Sequence, residues 1–297
     1  MAIEQRKQQG LIGPVTLLLC ALIWGSGFVV MKSALDGFPP AMLLGIRFTM
    51  AAAALCAVFA RRFRLMTKKT LWHGLGVGLV LGAAYLVQTW GLERTTPGKN
   101  AFLTAVYCVL VPLVVWAMGG RKPTKMSILA GGICLAGIGL ISLDEGWGIG
   151  LGDALSLGCG VLFAVQVTLI DRCAKEGDDI VLLTILQIAA AGVMAWLVAL
   201  LTGERPGQIS GASWGEVAYL SLITTALALL LQNVGQSMTE PSLAAILLSL
   251  ECVSGALLSV LFYGETITLR LALGFAAVFA AVVLASRSQS PMTAKKP

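Results

Sequence analysis

The chain has 297 residues, 57% of them hydrophobic and 12% charged, with a formal net charge of +6. Soluble domains carry roughly 25% charged residues, and the mean hydropathy here is +0.87, so an ordinary soluble protein is excluded and a membrane protein is expected. The positive balance follows from loop lysines and arginines that face anionic lipid, which gives no reason to expect a nucleic-acid partner.

Ten apolar runs mark candidate spanning helices, at about 14–34, 41–60, 72–92, 100–118, 127–143, 151–171, 180–202, 214–236, 242–262 and 269–286. Each is long enough to cross a hydrocarbon core of roughly 30 Å as a helix. The first run follows Arg6 and Lys7 as a secretory leader would, but nine more succeed it, so a retained helix is expected. Fifteen lysines and arginines fall on the side of the N-terminus, five on the other, and Arg47 lies within a span. The positive-inside bias therefore predicts a multi-pass protein of the cell's plasma (inner) membrane with both termini cytoplasmic.

In run one, Trp24 sits near mid-depth, where an interfacial belt does not account for it and where its indole N–H needs a partner. Run two carries Arg47. Run three is rich in glycine ("GVGLVLG", 76–82) and ends with Tyr85, Gln88 and Trp90; run five repeats the glycine pattern ("GGICLAGIG", 131–139). Such residues let helices approach closely. Pro97 and Pro241 head runs four and nine, restricting Thr96 and Glu240 to extended backbone, and Pro112 predicts a kink in run four. Trp72, Trp147 and Trp214 read as interface anchors, and the seven cysteines as small apolar residues, with neither a disulfide framework nor a metal site.

Shifted by 144 positions, residues 86–113 and 230–257 match at ten of 28 positions without a gap, including Gln88 with Gln232, Pro97 with Pro241 and Cys108 with Cys252. An internal repeat of five helices is expected, residues 1–143 and 144–297. An odd helix number turns the second copy upside down in the membrane, the inverted-repeat design of carriers that rock about a midplane site.

The order of "LIWGSGFVVMK" in run one, "LLGIRFTMAAAAL" in run two, the glutamine–glycine–proline joint opening runs four and nine, and "YGETIT" before run ten resembles the EamA family of the drug/metabolite transporter superfamily. The resemblance covers nearly the whole chain. It implies a ten-helix all-α membrane fold, no ATP, and movement of small polar metabolites such as amino acids or their relatives, often outward.

Run nine holds a single acid, Glu251, close to its middle, opposite Tyr107 in the repeat. A charge there costs roughly 2.5–3.5 kcal/mol on insertion scales and must face the bundle interior or a wet cavity. Three readings stand: a proton or cation site, a hydrogen-bond partner for substrate, and a structural ion pair with Arg47, whose depth differs by roughly 7 Å at 1.5 Å per residue. Ser254 and Gly255 on the same face leave room for a ligand or a close helix. Aromatic faces from Trp24, Tyr85, Trp90 and Tyr107 beside a carboxylate suit a cationic or zwitterionic amine. Gln88 and Gln232, as repeat mates, either line the path or bind neighbouring helices, and Gln166, Gln187 and Asn233 face the same choice.

An enzyme has little support. "GLGD" (150–153) matches half of an intramembrane aspartyl-protease pattern but lacks the second acid, and the one histidine, His73, lies at a rim. No phosphate loop or metal-ligand motif is present. The expectation is a secondary carrier of a small polar metabolite without a cofactor, with a proton as candidate co-substrate, lipid as surroundings and a monomer as assembly. The competing reading is a channel or lipid scramblase with Glu251–Arg47 as a structural pair.

Overall fold

A computed structural model describes residues 2–120, 122–142, 149–207, 211–239 and 241–287. Helices occupy all ten apolar runs, and no β-strand occurs among the described residues. In chain order they are α1 (Ala2–Ala34), α2 (Pro40–Phe59), α3 (Lys68–Glu93), α4 (Pro97–Thr104), α5 (Tyr107–Ala117), α6 (Lys125–Ser142), α7 (Leu151–Lys175), α8 (Ile180–Thr202), α9 (Gly211–Tyr219), α10 (Ala228–Met238), α11 (Pro241–Tyr263) and α12 (Leu269–Arg287). Seven helical stretches are long and apolar enough to cross a membrane, and three shorter apolar ones run over Ile128–Ile141, Leu247–Tyr263 and Leu269–Ala281. With little polar surface to solvate, this all-helical chain satisfies its backbone inside the helices, as a bilayer requires.

Local chemistry sets the helix ends. Pro40 and Pro97 occupy first-turn positions whose N–H would have no helical partner. Thr67 accepts from the Thr70 N–H, Thr96 from the Lys99 N–H, and Asp179 from the N–H groups of Val181 and Leu182, which caps α3, α4 and α8. Gly203, at φ 67°, closes α8 in the left-handed conformation that glycine adopts without a Cβ clash.

Two runs are not continuous α-helices. Run four breaks at Ala105–Val106 between α4 and α5, where Val106, Cys108 and Val109 make i→i−3 bonds, upstream of Pro112, which lies inside α5. Between α9 and α10 the chain adopts a π-helical segment, Leu220–Leu227, in which the Ala228 N–H reaches back to the Ile223 carbonyl. The repeat mates of these two irregular runs, α11 and α3, are uninterrupted. Glu240, expected to be extended before Pro241, and Trp147 lie outside the described residues.

Helix neighbours come in mated sets. α1 packs on α10 and α11, and its mate α7 packs on α3 and α4; α2 packs on α8, and α6 on α12. Two large apolar cores result, beside a small cluster of Val77, Ile170, Cys173 and Leu183. One is built mainly from α4, α5, α6, α11 and α12 and contains Phe102, Leu103, Cys252 and Phe275; the other is built mainly from α2, α3, α8 and the π segment and contains Leu44, Phe48, Leu81 and Ile188; α1 contributes buried residues to both, Leu17, Cys20 and Phe28 to the first and Met31 and Ala34 to the second. Trp24 of α1 and Phe163 of α7 pack against both. Each core therefore draws helices from both halves of the sequence.

Candidate functional site

At the seam between the two cores lies a cavity of about 50 Å³, lined among others by Trp24, Arg47, Tyr85, Gln88, Tyr107, Gln232 and Glu251. Seven of the eight residues singled out from sequence thus meet around one space. Trp90 does not line it: the indole is half-buried against the core around Phe48 and Tyr85.

Glu251 projects from the middle of α11 and is 3% exposed. Among the described residues no lysine or arginine pairs with it. Its repeat mate Tyr107 opens α5 just after the break and brings its hydroxyl beside the carboxylate. That hydroxyl is buried, with Glu251 and Cys108 as its polar side-chain neighbours.

Arg47, 4% exposed, answers the ion-pair reading: its guanidinium goes elsewhere. Nε donates to Thr225 Oγ1, Nη2 to Thr224 Oγ1 at 3.0 Å, and Nη1 approaches Met31 Sδ at 3.7 Å. Both threonine hydroxyls donate to the Leu220 carbonyl, at 2.9 and 2.8 Å, which leaves their lone pairs free for Arg47. The π turn makes this possible by placing both threonines within reach of one carbonyl. The guanidinium carbon also lies 5.0 Å from the Tyr85 ring centre, within cation–π range.

The aromatic rings form a chain that is edge to face at Phe48–Tyr85–Phe163 and tilted at Phe163–Tyr107. Tyr85 meets Phe48 at 5.3 Å and Phe163 at 5.4 Å between ring centres, and Phe163 meets Tyr107 at 6.3 Å. Trp24 donates its indole N–H to the Thr224 carbonyl at 3.1 Å, so its partner belongs to the same irregular segment that holds Arg47. Gln88 donates to Thr104 at 3.4 Å, at the end of α4, while the Gln232 Oε1 is buried without a partner.

Other polar residues within the spans are spent on helix contacts. Gln166 donates to Gln187 at 3.1 Å and Asn233 to Thr184 at 2.8 Å. Asp153 accepts from Thr95 at 2.8 Å and lies 3.8 Å from the Lys99 ammonium, an ion-paired acid at a helix end. Ser254 and Gly255 face a close helix: a Cβ at Gly25 of α1 would fall 1.9 Å from Ser254 Oγ and 2.9 Å from the Gly255 nitrogen. Thr224, Thr225, Thr89, Thr104 and Phe163 escaped the sequence reading, because threonine and phenylalanine in an apolar run carry no signal of the face they occupy.

Similarity to known proteins agrees with this architecture. The chain matches the profile of the EamA-like transporter family twice, over residues 11–143 and 150–287. It is 30% identical over 287 residues to an uncharacterized transporter of Archaeoglobus fulgidus, covering 94% of this chain and 90% of that protein. It is also 30% identical over 173 residues to a probable amino-acid metabolite efflux pump of Escherichia coli, covering 52% of this chain and 53% of the pump. A solved crystal structure superposes with a TM-score of 0.70 at 19% identity, covering 96% of this chain and 99% of the other, a likeness of fold. The protein is an all-helical, multi-pass membrane protein and a member of the EamA-like transporter family.

Proposed function

We propose that this transporter is a secondary carrier of a small polar metabolite bearing a cationic group, such as an amino acid, an amine or a relative, moved outward by alternating access around the central cavity. The observation that carries this is Glu251, a carboxylate buried in the cavity wall among aromatic faces with no cation partner among the described residues. A cation would find there both an opposite charge and π-faces. Arg47, held by neutral hydroxyls, keeps a charge available on the same cavity for an anionic group.

The helix arrangement supports the mechanical part. Ten spanning helices in two inverted repeats, residues 1–143 and 144–297 with both termini cytoplasmic, account for the mated helix contacts and the double family match. A cavity at the seam of two cores is where rocking of one core against the other opens a path to either side in turn. Glu251, alternately wetted from each side, would carry the proton in exchange for substrate.

The test is thermal unfolding of the purified protein and of Glu251→Gln with a panel of amino acids, amines, nucleosides and sugars, followed by flux in proteoliposomes with and without a pH gradient. A ligand at 100 times its Kd adds about 2.7 kcal/mol of stability. The proposal expects one cationic or zwitterionic class to stabilise the parent and not the variant, with saturable flux and exchange. Flux without saturation or exchange points to a channel or scramblase. Pair-independent flux that ignores the pH gradient and is unchanged in Glu251→Gln removes the proton from the scheme.

A further inference from the structure

We propose that His73, Cys173 and Asp178 form a binding site for a zinc-class divalent ion at the end of the bundle where α3 begins and α7 ends. Each residue offers one donor of a different kind, an imidazole nitrogen, a thiol sulfur and a carboxylate oxygen, and the three atoms lie within 4.8 Å of one another. This is a site remote in chain and space from Glu251: none of the three lines the central cavity. Sequence spacing hides it, because α3 supplies one ligand while α7 and the loop after it supply the other two, about a hundred residues later.

The surroundings resemble those of a built metal site. Cys173 is 5% exposed and the Asp178 side chain 3%, whereas the His73 ring is 31% exposed and leaves a way in from solvent. His73 Nδ1 and Asp178 Oδ2 are 2.6 Å apart. The second carboxylate oxygen accepts from Thr70 Oγ1 at 2.7 Å, and Thr70 contacts Thr67, the α3 cap, at 2.9 Å. Such outer hydrogen bonds orient a ligating carboxylate. Lys69 and Glu176, an ion pair at 2.8 Å, bridge the same two segments beside it.

Nitrogen, sulfur and oxygen donors together suit zinc and its neighbours better than calcium or magnesium, which take all-oxygen shells. A tetrahedral ion with bonds of about 2.0–2.3 Å sets its donors roughly 3.6 Å apart. Binding would therefore draw Cys173 inward and part the His73–Asp178 contact by about 1 Å, changes within reach of side-chain torsions. The Cys173 thiol gives its proton to solvent as the S–metal bond forms, His73 binds as the neutral imidazole with its proton on Nε2, and water takes the fourth position. The ion would tie the first turns of α3 to the end of α7 and the loop that leads into α8.

Metal-free full-length protein in detergent, titrated with Co²⁺ and then Zn²⁺ and followed by absorption, tests this directly. The expected result is one Co²⁺ per chain with a thiolate-to-cobalt charge-transfer band, displaced by one equivalent of Zn²⁺. Cys173→Ser should abolish the band, His73→Gln should weaken Co²⁺ binding more than tenfold, and Cys56→Ser, which alters a half-buried thiol outside the cluster, should leave both unchanged. Absence of the band from the folded parent protein overturns the proposal without recourse to any variant. So does a band that survives in Cys173→Ser, or an affinity untouched by His73→Gln.

Discussion

Arg47 and Glu251 open onto the same cavity and are not paired: the guanidinium is bound by Thr224 and Thr225, and the carboxylate has no cation beside it among the described residues. Two opposite charges in one apolar surround would ordinarily be drawn together, since their attraction grows as the dielectric falls. Keeping them apart requires neutral partners for at least one, and the π segment supplies these. The cavity is thus charged at two separate points.

Replacing Glu251 with glutamine should not weaken the fold. An isolated buried carboxylate is a cost of up to about 3 kcal/mol, so thermal unfolding of Glu251→Gln is expected at the parent temperature or above it. A marked fall in Tm would reveal a structural counter-charge and return the acid to an architectural role.

At Arg47 the expected order is unusual. Arg47→Met removes the charge while the threonine hydroxyls keep their bonds to the Leu220 carbonyl, and stability should stay within about 1 kcal/mol of the parent. Arg47→Lys keeps a charge whose point-like ammonium cannot serve both hydroxyls, and should cost about 1–3 kcal/mol. Denaturation of the two variants side by side checks the order; lysine outperforming methionine would contradict it.

Gly25 should be the least replaceable glycine of α1. Its missing side chain is where Ser254 and Gly255 of α11 lie, so Gly25→Ala forces the helices apart at a cost of about 1–3 kcal/mol. Gly76 of α3 has nothing within 4 Å of a built Cβ, and Gly76→Ala should change Tm little. Equal effects in the two variants would show that α1 and α11 are not in close contact in the bilayer.

Asp178 predicts an acid limb in stability. Burial opposes its ionisation, but the contacts from His73 and Thr70 outweigh that and hold its carboxyl below the usual carboxylate range. A depressed folded pKa means stabilisation that is full above the unfolded value, about 3.9, and is lost as pH falls through the lower folded value. Unfolding temperatures should therefore drop below about pH 4 in the parent, and this part of the drop should be missing in Asp178→Asn.

The helices and the membrane were legible in the sequence because apolar length alone decides them. The cavity lining was legible in part because a polar residue in a span must turn inward, and because the 144-residue shift pairs Gln88 with Gln232 and Tyr107 with Glu251. Depth along a helix can be counted, but azimuth cannot. Arg47 and Glu251 stand at compatible depths and still point to different partners, and Trp90, in sequence between the cavity-lining Thr89 and Leu92, turns onto the Phe48 core. Nothing in "LSLITTAL" announces a π turn, because the guanidinium that its two threonines hold comes from another element, at Arg47.

The pairing of Tyr107 with Glu251 has one more consequence. A pocket walled by equivalent residues from two like halves would accept a guest in either of two poses related by a half-turn, and Gln88 and Gln232, like residues on one wall, keep that ambiguity. One tyrosine exchanged for one glutamate removes it. Whatever enters this cavity meets an acid and a phenol side by side, two unlike groups where a symmetric pocket would offer like ones.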